Sequence, residues 1–212
     1  MKKLTSQSLR SHLGGLLLGS ALLTPALTAV AQEILPREEA LRYAFVAALY
    51  EPTTTQAPIR VDADLKRPVV GYEGDYGAMI LPETKLTAAT LEKVGRDVVP
   101  IGQLWLRKLT PMANGYAVDS SDLHMVQIRH EGESARVPFC LLGVRRTEAG
   151  ALELVVYGRG SKPIAQSALT KATRTQSLPI ELSAERESDS GRLTLHLVGQ
   201  YAATLSVTEL PE

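Results

Sequence analysis

The chain has 212 residues, 44% of them apolar and 22% charged, with 23 Lys+Arg, 23 Asp+Glu, 16 Gly, 12 Pro and a single Cys. This composition excludes disordered, collagen-like and disulfide-scaffold classes. A formal net charge of +0 with no basic block also excludes the concentrated electropositive face by which a general nucleic-acid binder collects phosphates.

Residues 1–31 read as a cleaved secretory signal peptide. Lys2, Lys3 and Arg10 form a positive head, Leu13 to Leu23 an apolar run, and Ala29-Val30-Ala31 the small-residue site that lets a peptidase cut before Gln32. Gly14, Gly15, Gly19 and Pro25 interrupt a run too short to span ~30 Å of hydrocarbon, so no transmembrane segment is expected after cleavage. The expected location is the periplasm or the cell exterior. The mature chain then carries 20 Lys+Arg against 23 Asp+Glu, a net of −3, and only His124, His130 and His196 remain for imidazole chemistry. Cys140 sits within Val137-Pro138-Phe139-Cys140-Leu141-Leu142, where a buried, unreactive thiol is expected.

Residues 32–58 read as an N-terminal helix and linker. Pro36 suits a first-turn position, Glu38 and Glu39 suit the helix dipole, and Leu41, Phe45, Ala48 and Leu49 recur at helical spacing. Glu51 to Pro58 then breaks the helix. Residues 59–212 read as a single β-rich domain, with Ile59–Leu65, Pro68–Tyr72, Tyr76–Leu81 and Val98–Leu109 as strands and a short helical turn over Thr87–Gly95.

Two hairpin meanders follow. In the first, Leu123–Tyr157, four-residue loops at Glu131–Ser134 and Thr147–Gly150 set Ile128 against Val137, Val126 against Phe139, Leu141 against Val156 and Gly143 against Leu154. Apolar residues on both faces predict cover on both sides. In the second, a three-residue loop Val198–Gln200 pairs Leu197 with Tyr201 and Leu195 with Ala203. A four-residue loop Ser188–Gly191 sets Leu182 against Leu197 and Ala184 against Leu195. The other face, with Glu181, Thr194, His196, Thr204 and Ser206, suits water. Between the meanders, Lys162-Pro163-Ile164 reads as the start of an edge strand and Ala165–Ala172 equally as two helical turns. The fold class is therefore mainly β: an antiparallel β-sandwich or barrel built from hairpin meanders, with a short N-terminal α-helix.

The functional signals are sparse. Asp62, Asp64, Glu73 and Asp75 are oxygen donors in two short patterns and form a weak metal set, although their spacing matches no calcium loop. Tyr72 and Tyr76 flank Glu73-Gly74-Asp75, giving rings and acids for a ligand such as a sugar; Tyr72, Glu73, Asp75 and Tyr76 are the ligand-binding candidates. Trp105, between Leu104 and Leu106, reads as a core anchor. Asp119, Ser120, Ser121, Asp122 and His124 hold the residue types of a triad, but no Gly-x-Ser-x-Gly elbow accompanies them. Neither His-x-His nor His-Glu-x-x-His occurs, and Gly158-Arg159-Gly160-Ser161 lacks the further glycines of a phosphate loop, so no cofactor is expected. The expectation is an exported, non-catalytic β-domain acting as a structural or interaction module in the bacterial envelope or outside the cell, with an envelope protein or polysaccharide as partner. The alternative is a carbohydrate-binding module, or a carboxylate-dependent hydrolase of envelope or extracellular polysaccharide drawing on Asp62, Asp64, Glu73, Asp75, Asp119 or Asp122. A third class offers Lys162–Thr170 as a strand edge to another chain.

Overall fold

The computed structural model describes residues 32–53, 56–130, 132–187 and 189–211. The leader expected over residues 1–31 lies outside them. The described chain opens with β1 (Glu33–Ile34) and α1 (Arg37–Leu49), then β2 (Val69–Glu73), β3 (Tyr76–Pro82) and α2 (Ala88–Glu92). Next come β4 (Val99–Arg107), β5 (Leu109–Ala113), β6 (Tyr116–Ala117), β7 (His124–His130), β8 (Glu133–Arg146) and β9 (Leu152–Tyr157). It finishes with β10 (Pro163–Ala168), β11 (Thr170–Lys171), β12 (Ile180–Glu187), β13 (Ser190–Leu197) and β14 (Tyr201–Glu209). An eight-stranded antiparallel sheet has the order β1-β2-β3-β4-β8-β9-β10, with β7 paired to the first half of β8. A six-stranded sheet has the order β12-β13-β14-β5-β6, with β11 paired to β14. The two sheets pack face to face and do not close into a barrel.

The main core lies between them. Ile80, Leu104, Cys140, Leu142, Leu154 and Val156 from the large sheet meet Ile180, Leu182, Leu193, Leu195, Leu197 and Leu205 from the small one. The alternation of each strand delivers one face to this layer. The large sheet has a second buried face, where Met79, Leu81, Trp105, Phe139, Leu141 and Val155 pack under α1 and the segment that follows it. The cover expected on both sides of the first meander is therefore present. Trp105 is a core anchor as expected, its ring edge-on to Phe139 with centroids 4.7 Å apart. Its indole N–H donates to Gln103 Oε1 at 3.2 Å, and Gln103 Nε2 donates to Glu51 Oε1 at 2.6 Å, so this buried amide is satisfied on both sides.

The face that α1 turns inward differs from the sequence reading. Ala40, Ala44 and Ala47 are buried, whereas Phe45 is 60% and Leu49 83% exposed. Small side chains let the helix backbone come close to a sheet face already filled by Trp105, Met79 and Leu81, and the stripe of larger residues is left outside. Ile59–Leu65 also differs: it is not a strand and makes one isolated bridge, Ala63 to Glu83. This segment lies over a sheet face, with Ile59, Val61, Ala63 and Leu65 packed downward; a face presents side chains and offers no backbone ladder. The expected strand Val98–Leu109 breaks at Lys108, which has φ 55°, and the chain passes there from β4 in the large sheet to β5 in the small one. α2 forms within the expected Thr87–Gly95 turn, opened by a capping box in which Thr87 and Thr90 satisfy each other's backbone N–H groups.

Three registers differ from those drawn from loop length. Val126 faces Val137 and His124 faces Phe139, a shift of two, because β7 and β8 extend to His130 and Glu133 and leave a tight turn. Leu182 faces Leu195 and Ala184 faces Leu193, again a shift of two, since Ser190 and Gly191 belong to β13. Shifts of two preserve which face each residue occupies. The third shift is by one: Leu141 faces Tyr157 and Gly143 faces Val155. Thr147 N–H donates to the Ala151 carbonyl at 2.8 Å, and Gly150 adopts φ 84°, so five positions separate Arg146 from Leu152. With both faces apolar, the pattern does not penalise such a slip. The loop Val198–Gln200 and the pairs Leu197–Tyr201 and Leu195–Ala203 are as expected. The ambiguous connection resolves as strand, not helix: β10 is an edge strand, and the chain crosses through the buried Leu169 to β11.

Candidate functional site

At one end of the sandwich the core thins. Inward positions that carry large residues at the centre become small towards this end: Ala78 on β3, Gly71 on β2, Ala184 on β12 and Gly191 on β13. With Leu109, Leu193 and Val207 beneath, they enclose a cleft of about 230 Å³ between the two sheets. Its rim is charged. Glu73 and Tyr76, directly opposite each other across the β2–β3 hairpin, stand on one side, and Arg186 reaches over from β12. Arg186 Nη1 lies 3.4 Å from Glu73 Oε1 and its guanidinium 5.8 Å from the centre of the Tyr76 ring. Arg192 lies beside them, 3.2 Å from Glu185 and 2.5 Å from Glu187.

Three of the four expected ligand-binding residues, Tyr72, Glu73 and Tyr76, border this cleft. They do not form a paired aromatic platform. Adjacent strand residues point to opposite faces, so with Glu73 turned to the small sheet, Tyr72 turns away, and its hydroxyl donates to the Glu33 carboxylate, which holds the phenol above its ordinary pKa. Asp75 is outside the cleft, in the hairpin turn, where Lys108 Nζ donates to it at 2.6 Å and holds its carboxyl below the usual range. Arg186, Arg192 and Ala184 were not among the candidates. Ala184 and Arg186 come from β12 and Arg192 from β13, more than a hundred residues away from Glu73, and the sequence trace of the first two is the inward parity of β12.

The weak metal set is dispersed. Asp62 accepts a hydrogen bond from Thr84 Oγ1 at 3.0 Å, and its backbone N–H donates to Glu83 at 2.7 Å. Asp64 is paired to Arg67 at 2.5 Å; burial works to raise its pKa, but Arg67 and Lys66 outweigh this and lower it. Glu73 and Asp75 are engaged as described above. Among the described residues, no three of His, Cys, Asp and Glu gather as a metal-binding group.

A second, open depression brings Asp119 and Asp122 beside Ser161, Lys162 and Pro163. Asp119 Oδ1 accepts the Ser121 N–H at 2.8 Å, capping the short 3₁₀ turn Ser120–Asp122, and this bond lowers its pKa. A general acid needs the opposite shift. His124 stands apart on β7, edge-on to Phe139. One nucleophile–base contact absent from the sequence reading does occur: Ser183 Oγ lies 3.1 Å from His196 Nε2 on the outer face of the small sheet. Glu181, cross-strand from His196, is held by Ser177 N–H at 2.8 Å and Arg174 at 3.2 Å. Cys140 is fully buried, which pushes its thiol pKa up to about 12. No family model, no curated protein and no solved structure matches this chain.

Proposed function

We propose that this protein is an exported, non-catalytic binding module of the bacterial envelope or cell exterior, and that it takes a small ligand, or one group of a larger one, into the cleft between its sheets. The observation that carries the reading is the cleft itself: an apolar floor of Leu109, Leu193 and Val207, opened by small residues on the facing strands, under a polar rim that holds Glu73, Tyr76 and Arg186. Concave apolar sites with a few converging polar groups are the usual form of ligand pockets. The carboxylate-hydrolase alternative has less support, because Asp62, Asp64, Asp75 and Asp119 are engaged in local pairs or caps and Glu73, the one of its acids that borders the cleft, already faces a guanidinium.

The test is methyl NMR of the protein starting at Gln32, titrated with oligosaccharide and small-molecule fractions of cell envelope. Shifts confined to Ala78, Ala184, Leu193 and Val207, and lost in Ala184→Leu, are expected. Shifts spread over other methyls, or none, overturn the assignment of the cleft. Mass spectrometry of the protein recovered from cells tests export: a mass beginning at Gln32 is expected, and a retained leader overturns it.

A further inference from the structure

We infer that the cleft recognises an amphiphilic organic cation, an ammonium or guanidinium group on an apolar body, and that the Arg186 guanidinium lies in the position such a cation takes. The inference rests on the cleft being a ligand site. Its first support is the environment of the Arg186 guanidinium, which lies over the face of Tyr76 and against the Glu73 carboxylate. An aromatic face with an adjoining carboxylate is the arrangement by which proteins hold organic cations. Arg186 fills it loosely. Its ion pair is 3.4 Å long and its side chain 60% exposed, whereas Glu73 is only 21% exposed. The carboxylate and ring are parts of the cleft wall; the guanidinium arrives from solvent and can leave by rotation of its own side chain.

The second support is charge. The rim carries Glu73, Glu185, Asp189 and Glu209 against Arg186 and Arg192, and Arg192 is already held between Glu185 and Glu187. When Arg186 swings out, the rim is left strongly negative, which favours a cation and repels a carboxylate or phosphate. The third support is the floor. Leu109, Leu193, Val207 and the two alanines offer no charged partner, and the neutral Gln32 amide over Gly71 is the polar neighbour at this depth, so a mainly apolar body suits the space beneath the cationic group. A cavity of about 150 Å³ accommodates a benzene ring, so the 230 Å³ here takes a chain or ring of at least that size.

The experiment uses hexylammonium, 1-hexanol and hexanoate as probes, with methyl NMR of Ala78, Ala184, Leu193 and Val207 as the readout. Hexylammonium is expected to bind best and hexanoate worst. Glu73→Gln should weaken hexylammonium about tenfold and leave hexanol unchanged, because it removes a charge-assisted contact and keeps the shape. Arg186→Ala should tighten hexylammonium about fivefold by removing a competitor worth one exposed cation–aromatic contact and one surface ion pair. Hexanol or hexanoate binding as tightly as hexylammonium overturns the cation assignment and leaves the cleft a binding site. Weaker hexylammonium binding in Arg186→Ala overturns the resident role of Arg186. Failure of all three probes to move any cleft methyl overturns the cleft as a site along with the cation assignment.

Discussion

Substitutions on α1 distinguish the observed packing from the one its amphipathic spacing implied. Ala44 is fully buried against the large sheet and Leu49 is 83% exposed. Full burial of a leucine side chain stabilises by about 1.5–3 kcal/mol, and with only about a sixth of Leu49 covered, Leu49→Lys should cost no more than ~0.5 kcal/mol. Ala44→Leu must instead insert three carbons between the helix and a filled sheet face, an overpacking that costs about 1–3 kcal/mol. With a urea m-value of about 2 kcal/mol/M for a domain of this size, the midpoint should fall by roughly 0.5–1.5 M for Ala44→Leu and by less than about 0.3 M for Leu49→Lys. Both are read by equilibrium urea unfolding followed through Trp105 fluorescence. Trp105 lies beneath α1, so the probe reports the affected layer. A larger loss for Leu49→Lys than for Ala44→Leu would refute the inward alanine face and restore the leucine stripe as the buried one.

Gly158→Ala should also destabilise, because an added Cβ would lie 2.1 Å from the Asp122 carbonyl oxygen, where the exit of β9 meets the approach to β7. A cost of about 1–3 kcal/mol lowers the melting temperature by roughly 2–12 °C, and an unchanged melting temperature would contradict the close approach. Cys140 should resist a thiol reagent in native buffer and react only as the chain unfolds, since burial holds its pKa at about 12; rapid native labelling would contradict its place in the core. His124 and His196 titrate below the ordinary imidazole value of 6.5 through burial first and then repulsion from Arg159 and Arg174, partly offset at His196 by Glu181. The unfolded chain therefore binds these protons more readily, so their contribution to stability is complete above about pH 6.5 and is lost as the pH falls through the folded values. A double His124→Gln, His196→Gln variant should show a flatter melting temperature between about pH 7 and 5, and a slope equal to that of the parent would refute the assignment.

The strands were legible because alternation is a local signal, and register was legible only where one face is polar. In β13 and β14, Thr194, His196, Thr204 and Ser206 demand water, so a slip of one residue would bury them; the three-residue loop follows from that demand. In β8 and β9, Val144 and Val155 are as buried as Leu141 and Leu154, so the pattern accepts either parity, and the loop closed by Thr147 and Gly150 decides. Between β7 and β8 and between β12 and β13, loop length estimated from polar residues overshoots for a related reason. Ser190 and Gly191 look like turn, yet at a sheet end polar and small residues pair as readily as apolar ones, here with Glu187 and Arg186. The α1 reading failed because hydrophobicity ranks leucine above alanine, while the surface to be covered was already filled and required the smallest side chains.

The same reasoning explains how much of the site was visible. Glu73 and Tyr76 stand out because a two-residue turn with Gly74 at φ 58° places them opposite each other, and that turn is readable from its sequence. Chain proximity groups Tyr72 with them, although strand parity sends it to the other face. Arg186 is reached only through the register of β12 against β13 and the packing of one sheet on the other. A single inward arginine at the end of Ile180, Leu182 and Ala184 is the trace it leaves in the sequence. That trace has physical content. An inward charge at the point where a core stripe gives way to alanine needs a partner from the opposite sheet, and Glu73 is the acid within reach. Exchanging the two charges, Glu73→Arg with Arg186→Glu, should retain the fold and melting temperature within a few degrees, since a rim ion pair contributes at most about 1 kcal/mol. It should also move the carboxylate from the cleft wall onto the more exposed position on β12 and so weaken hexylammonium at the cleft methyls. If the exchanged protein bound hexylammonium as well as the parent does, a fixed carboxylate beside Tyr76 would not be what the cleft uses to select its ligand.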